Sequence, residues 1–92
     1  MNKKGDGRYV YIVASATGTL HTGHINDLHL AVQRHRTKES PGHYVPKRLV
    51  YYEEMPTASK ARQRSKEIKG WSRKKKVELV EAGNPEWKEL LP

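Results

Sequence analysis

The stretch Arg8-Tyr9-Val10-Tyr11-Ile12-Val13-Ala14, followed beyond Gly18 by Thr19-Leu20-His21-Thr22, decides the fold. Its β-branched and aromatic residues suit a pleated, half-buried backbone better than a helix. Gly18 supplies the turn between the two runs. Together they predict a β-hairpin with strands over 8–14 and 19–22.

Working outward, Asn26-Asp27-Leu28 has the form of a helix start. Asn or Asp can accept from the free first-turn amides, and an acid suits the positive end of the helix. That helix should run to about Arg36. Ser40-Pro41-Gly42 breaks the chain, and Arg48 to Glu53, rich in Leu, Val and Tyr, predicts the third strand. Pro56-Thr57-Ala58 opens a second helix that should reach Ile68 or Lys69, with Gly70 placed for a left-handed C-terminal residue. Ser72 can cap a third helix, which carries Val77, Leu79 and Val80 and ends at Gly83. Asn84-Pro85-Glu86 offers a cap, a proline at the first helical position and an early acid, so 87–91 is expected to add one more helical turn. Met1 to Gly7 is polar and holds two glycines beside Lys3 and Lys4, which marks a flexible basic arm ahead of one domain over 8–92.

A chain of 92 residues has room for one core, and the absence of phenylalanine leaves Leu, Val, Ile, Trp and Tyr to build it. Eighteen Lys and Arg against ten Asp and Glu give a net charge of +8, a field that attracts polyanions, nucleic acid foremost. No long apolar stretch marks a membrane partner. With no cysteine, disulfides and thiolate metal sites are excluded, and the first residues lack the apolar core of a signal peptide. A cytoplasmic location is the expectation.

Half of the positive charge lies between Lys60 and Lys76, where Lys60, Arg62, Arg64, Lys66, Lys69, Arg73, Lys74, Lys75 and Lys76 face one acid, Glu67. Placed on helices, these cations wrap around the axis and do not line a single solvated edge. Four of them crowd the first turn of the third helix, where the macrodipole disfavours positive charge and a bound anion would relieve it. Tyr51, Tyr52 and Trp71 lie close by and could stack on bases. Alternation sends Tyr51 and Tyr52 to opposite faces, so one belongs to the core, and Trp71 is expected to plug the helix junction.

Tyr9-Val10-Tyr11-Ile12, then Leu20-His21-Thr22-Gly23 and Asn26-Asp27-Leu28, resembles the GIY-YIG nuclease superfamily. The resemblance continues through Leu49-Val50-Tyr51-Tyr52-Glu53-Glu54, Lys66-Glu67-Ile68-Lys69-Gly70-Trp71, Arg73-Lys74-Lys75-Lys76 and Asn84-Pro85-Glu86-Trp87. These look like the small single-domain bacterial members related to the excinuclease C nuclease domain. The implied fold class is α+β, a three-stranded antiparallel sheet flanked by helices. The implied activity is hydrolysis of phosphodiester bonds in DNA by two tyrosines, a helix arginine and a glutamate that holds one divalent cation.

Carried over position by position, the first tyrosine matches Tyr11 and the glycine of the second motif matches Gly23. The second tyrosine falls on His21, the arginine on Ala31 and the metal-binding glutamate on Ser65, while a histidine found in some members is present as His35. His21 could serve as a base, its unperturbed pKa being about 6.5, and Arg34, one turn beyond Ala31, could reach the same phosphate. The carboxylate is the harder loss: Ser65 is a poor lone anchor for Mg or Mn, and Glu67 should point away from it on the helix, so a metal would need water, phosphate and an acid from elsewhere. His21, His24, His29, His35 and His43 fit no usual zinc spacing and read as a cationic surface that strengthens nucleic-acid binding below about pH 6.5. The leading expectation is a nucleic-acid-binding domain, with DNA as the partner, whose nuclease centre is degenerate. An active divergent nuclease using His21 and Arg34 and requiring Mg or Mn is the first alternative, and a basic protein-interaction module is the second.

Overall fold

The computed structural model describes residues 8–15, 18–37 and 47–91, apart from the side chains of residues 34–37 and 47. The arm over 1–7 and His43 lie outside them. Strands β1 (Tyr9–Ser15) and β2 (Leu20–Ile25) precede helix α1 (Leu28–Thr37). Strand β3 (Lys47–Glu54) then leads to helices α2 (Ala58–Lys69) and α3 (Arg73–Gly83). The sheet is antiparallel with β1 between β2 and β3, which agrees with the expected class.

Each boundary has a local cause. The Gly18 N–H donates to Ser15 O at 3.0 Å and Gly18 takes φ +93, a turn conformation that glycine adopts without a Cβ clash. Asp27 caps α1, its Oδ1 accepting from His29 N at 3.0 Å. Thr57 Oγ1 accepts from Lys60 N at 3.1 Å and Ser72 Oγ from Lys75 N at 3.2 Å, so the two later helices also start as expected. Gly70 differs from expectation: its φ is −82, because its N–H and that of Trp71 bond back to Glu67 O and Ile68 O and carry the chain right-handed into the junction.

Alternation along β1 divides the core into two layers. Val10, Ile12 and Ala14 pack with Val50, Ala61, Ile68 and Val80 beneath α2 and α3, whereas Tyr11 and Val13 pack with Ile25, Ala31, Val32 and Leu49 beneath α1. A β-bulge shifts the β1–β3 register after Ile12, pairing Ile12 with Tyr51 and Val13 with Leu49 and leaving Val50 as the extra residue. Tyr51 packs against the first layer and Tyr52 is exposed, as alternation predicts.

Residues 87–91 form no helical turn, contrary to the sequence expectation. Asn84 does accept from Lys88 N through Oδ1, as a cap would, but its Nδ2 reaches Val50 O at 3.0 Å. Leu90 N donates to Leu49 O at 2.9 Å, and Leu49 N donates to Glu89 Oε2 at 2.9 Å. The segment therefore covers the outer edge of β3, and Trp87 takes φ 55 on the way. Backbone groups of an open strand edge need partners, and here those long-range bonds outweigh the local helix signal.

Candidate nucleic-acid interface

Tyr11 and Gly23 are direct cross-strand partners, and His21 pairs with Val13 in the same ladder, so Tyr11, Gly23 and His21 belong to the α1 side of the sheet. Tyr11 is 9% exposed and lies over Gly23 so closely that a Cβ there would meet its Oη at 2.5 Å. Glycine is thus required for the phenol to lie flat across the ladder. Ala31 belongs to the same core layer as Tyr11. The backbone of Arg34 and His35 lies on α1, but their side chains fall outside the described residues.

Ser65 is placed elsewhere. It is buried with Ala61 and Ile68 on the inner side of α2, and both of these neighbours pack on the Val10, Ile12 and Ala14 face. Among the described residues, its Oγ has no hydrogen-bond partner, nor has the buried Thr22 Oγ1 of β2. Magnesium or manganese does not fit Ser65, which offers one neutral, enclosed oxygen where a hard cation needs carboxylates and water. Glu67 points outward and holds Arg64 at 3.2 Å. His21 and His24 take opposite faces of β2, since one pairs with Val13 and the other with Val10, so the ladder does not bring them together. Among the described residues, no three His, Asp or Glu side chains converge on a metal position.

The basic stripe divides into cations with protein partners and cations without. Arg64 is half-buried. Its Nε donates to Glu53 Oε1 at 2.8 Å, and its guanidinium carbon lies 5.2 Å from the centre of the Trp71 ring. This partnership removes it from the phosphate contacts expected of it. Lys75 Nζ also lies over this ring, 4.4 Å from the same centre. Trp71 is packed against the core at the helix junction, the place the sequence suggested. Arg73 Nη1 donates to Gly18 O at 2.7 Å, so two of the four cations crowding α3 are held by the protein itself. Lys60, Arg62, Lys66, Lys69 and Lys74 are exposed and, among the described residues, have no carboxylate partner. A shallow groove of about 630 Å³, lined by Met55, Lys60, Gln63, Arg64, Lys66 and Glu67, runs along α2.

Glu53 also accepts a hydrogen bond from the Tyr51 hydroxyl, which makes a chain Tyr51–Glu53–Arg64–Glu67 across β3 and α2. Burial, reinforced by the Glu53 carboxylate, pushes the Tyr51 hydroxyl from 10.0 up to about 12. The unfolded chain releases this proton near 10 while the folded protein keeps it to about 12. The phenol's contribution to stability is therefore complete below the lower value and is lost as pH rises through the higher one. Ultraviolet titration of phenolate should show one tyrosine ionising late, and Tyr51→Phe should abolish that step.

Sequence reasoning missed the Glu53–Arg64 pair, which joins residues on different elements. It also missed the bonds that Arg48 makes to Trp87 O and Arg73 to Gly18 O. The charge density of the stripe marked Arg64 and Arg73 but not their partners, and no sequence signal marked Arg48.

No family model matches the chain. UPF0213 protein SSP2268 of Staphylococcus saprophyticus is 36% identical over 81 residues, which covers 85% of this chain and 99% of the relative. A UPF0213 protein of Staphylococcus aureus is 36% identical over 78 residues, covering 82% of this chain and 95% of the relative. The solution NMR structure of the UPF0213 protein BH0048 from Bacillus halodurans superposes with a TM-score of 0.59 at 28% identity. It covers 87% of this chain and 88% of its own. With a shared α+β fold and near-complete mutual coverage, the chain belongs to the UPF0213 family.

Proposed function

We propose that this protein binds nucleic acid, DNA in the first instance, on a GIY-YIG-type domain whose nuclease centre is degenerate. The observation that carries this is a contrast within one chain. Ala31 and Ser65, at the positions where the resemblance puts the phosphate-neutralising arginine and the metal-holding glutamate, are small and 0% and 1% exposed. Lys60, Arg62, Lys66, Lys69 and Lys74, by contrast, stand in solvent. A phosphodiester backbone attracts such a surface through the release of its counterions, without needing a reactive group. Hydrolysis needs charge compensation at the phosphate and an activated water, and neither Ala31 nor Ser65 supplies them.

Fluorescence anisotropy with labelled DNA at increasing salt tests the binding. Affinity should fall steeply with salt, and replacing Lys66 and Lys69 together by glutamine should reduce the salt slope by about two. An affinity indifferent to salt would point to a protein-interaction module. Incubation with DNA and magnesium or manganese tests the second half of the proposal. The expected product is intact DNA, and cutting that disappears in His21→Ala would establish the divergent nuclease in its place.

A further inference from the structure

At the hairpin end of the sheet, Ala14, Ser15, Gly18, Arg48, Arg73 and Trp87 enclose a recess of about 320 Å³. Its two arginines come from distant parts of the chain, the start of β3 and the start of α3, and each is anchored to a backbone carbonyl. Arg73 Nη1 donates to Gly18 O at 2.7 Å, and Arg48 Nη1 donates to Trp87 O at 3.1 Å. A Cβ on Gly18 would lie 3.4 Å from Arg73 Nη2, an ordinary contact distance, so the guanidinium lies directly against the turn. One bond each fixes the orientation and leaves the other N–H donors of both forks for a ligand.

Among the described residues, neither arginine is paired with a carboxylate. The acids nearest in sequence to Trp87 are engaged elsewhere: Glu81 accepts from Trp87 Nε1 at 2.7 Å, Glu86 holds Lys88 at 3.0 Å, and Glu89 accepts from Leu49 N. Arg8 and Arg64, by contrast, are both neutralised by glutamates. Two oriented, unneutralised guanidinium groups beside an indole form a place for one phosphate and an attached planar base. The size suits a single nucleotide unit, at the small end of ligand cavities.

From this arrangement we infer that the recess is a nucleotide subsite that captures one splayed unit of a single strand, its phosphate between Arg48 and Arg73 and its base against Trp87. A stacked and paired base in a duplex cannot enter it. The inference deepens the nucleic-acid reading above and rests on it. It adds a preference for single strands that a basic stripe alone does not supply.

The protein has two tryptophans, so in a Trp71→Phe background its emission reports on Trp87. Thymidine monophosphate should quench that emission saturably, and Arg48→Gln and Arg73→Gln should each weaken the binding by about tenfold. Oligothymidylate should bind more tightly than its duplex with oligoadenylate, and the Arg48→Gln/Arg73→Gln pair should remove that preference. Because Arg73 also ties down the hairpin turn, far-UV circular dichroism accompanies each variant, and Arg48→Gln carries the test if Arg73→Gln fails to fold. Saturable quenching that survives in the arginine variants would overturn the subsite. Salt-sensitive DNA binding with no single-strand preference would overturn it while leaving the stripe intact. An absence of binding to any of these probes at low salt would overturn both.

Discussion

Replacing Asn84 by alanine is expected to destabilise the protein by about 3 kcal/mol, measured as a fall in the midpoint of urea unfolding. The Asn84 side chain is 7% exposed, and both ends of its amide are used. Nδ2 donates to Val50 O and Lys88 O, each at 3.0 Å, and Oδ1 accepts from Lys88 N at 3.0 Å. Alanine leaves three backbone groups without that partner, and each buried group left unsatisfied costs about 1–3 kcal/mol before solvent enters. A domain of this size holds roughly 5–14 kcal/mol in all, so the loss is a large share. Asn84→Asp serves as the comparison: it keeps the acceptor for Lys88 N but loses the donor to Val50 O, and it should also destabilise. Hydrogen exchange at Leu49 and Leu90 should accelerate in the alanine variant, because the segment that Asn84 holds covers that strand edge. Unchanged exchange there would mean that the segment is held by other contacts.

Gly23→Ala is expected to cost about 1–3 kcal/mol, although alanine suits a strand no worse than glycine does. The new methyl would meet Tyr11 Oη at 2.5 Å, Cζ at 2.8 Å and Cε2 at 3.0 Å. Tyr11 sits between Gly23 on one neighbouring strand and Tyr52 on the other, in the layer under α1, so the ring has little room to retreat. A double-mutant cycle with Tyr11→Phe isolates the contact. Phenylalanine removes the closest atom, so the two substitutions together should cost less than the sum of their separate effects by at least about 0.5 kcal/mol. Strict additivity would show that the glycine is needed for some reason other than the phenol.

Much of the fold was legible because its signals are local. The β-branched run over 9–13, the turn at Gly18 and the caps Asp27, Thr57 and Ser72 each act within a few residues, and each does what its chemistry suggests. What escaped are features that depend on partners far along the chain. Strand β2 continues through Gly23 to Ile25, because Tyr11 on the neighbouring strand fills the space a side chain would take. Asn84-Pro85-Glu86 carries every local mark of a helix start, yet Asn84 bonds to Val50, and the chain follows the sheet edge. For the candidate site, sequence located the cations but not their engagements. Arg64 looks as available as Lys66 until Glu53, on another element, is seen to hold it. The substitutions at Ala31 and Ser65 were visible as letters, but their enclosure within the two core layers was not.

The covering of β3 by residues 84–91 also bears on how the molecule is made. The sheet joins segments that leave the ribosome early, whereas the groups that seal its outer edge, Asn84, Glu89 and Leu90, are synthesised well after the strand they protect. Until that segment docks, the folding chain presents an unsealed β3, open to pairing with any extended neighbour. Slow docking of residues 84–91 would lengthen this exposure, so the yield of native protein should depend on how quickly that segment closes over β3 as well as on the stability of the finished fold.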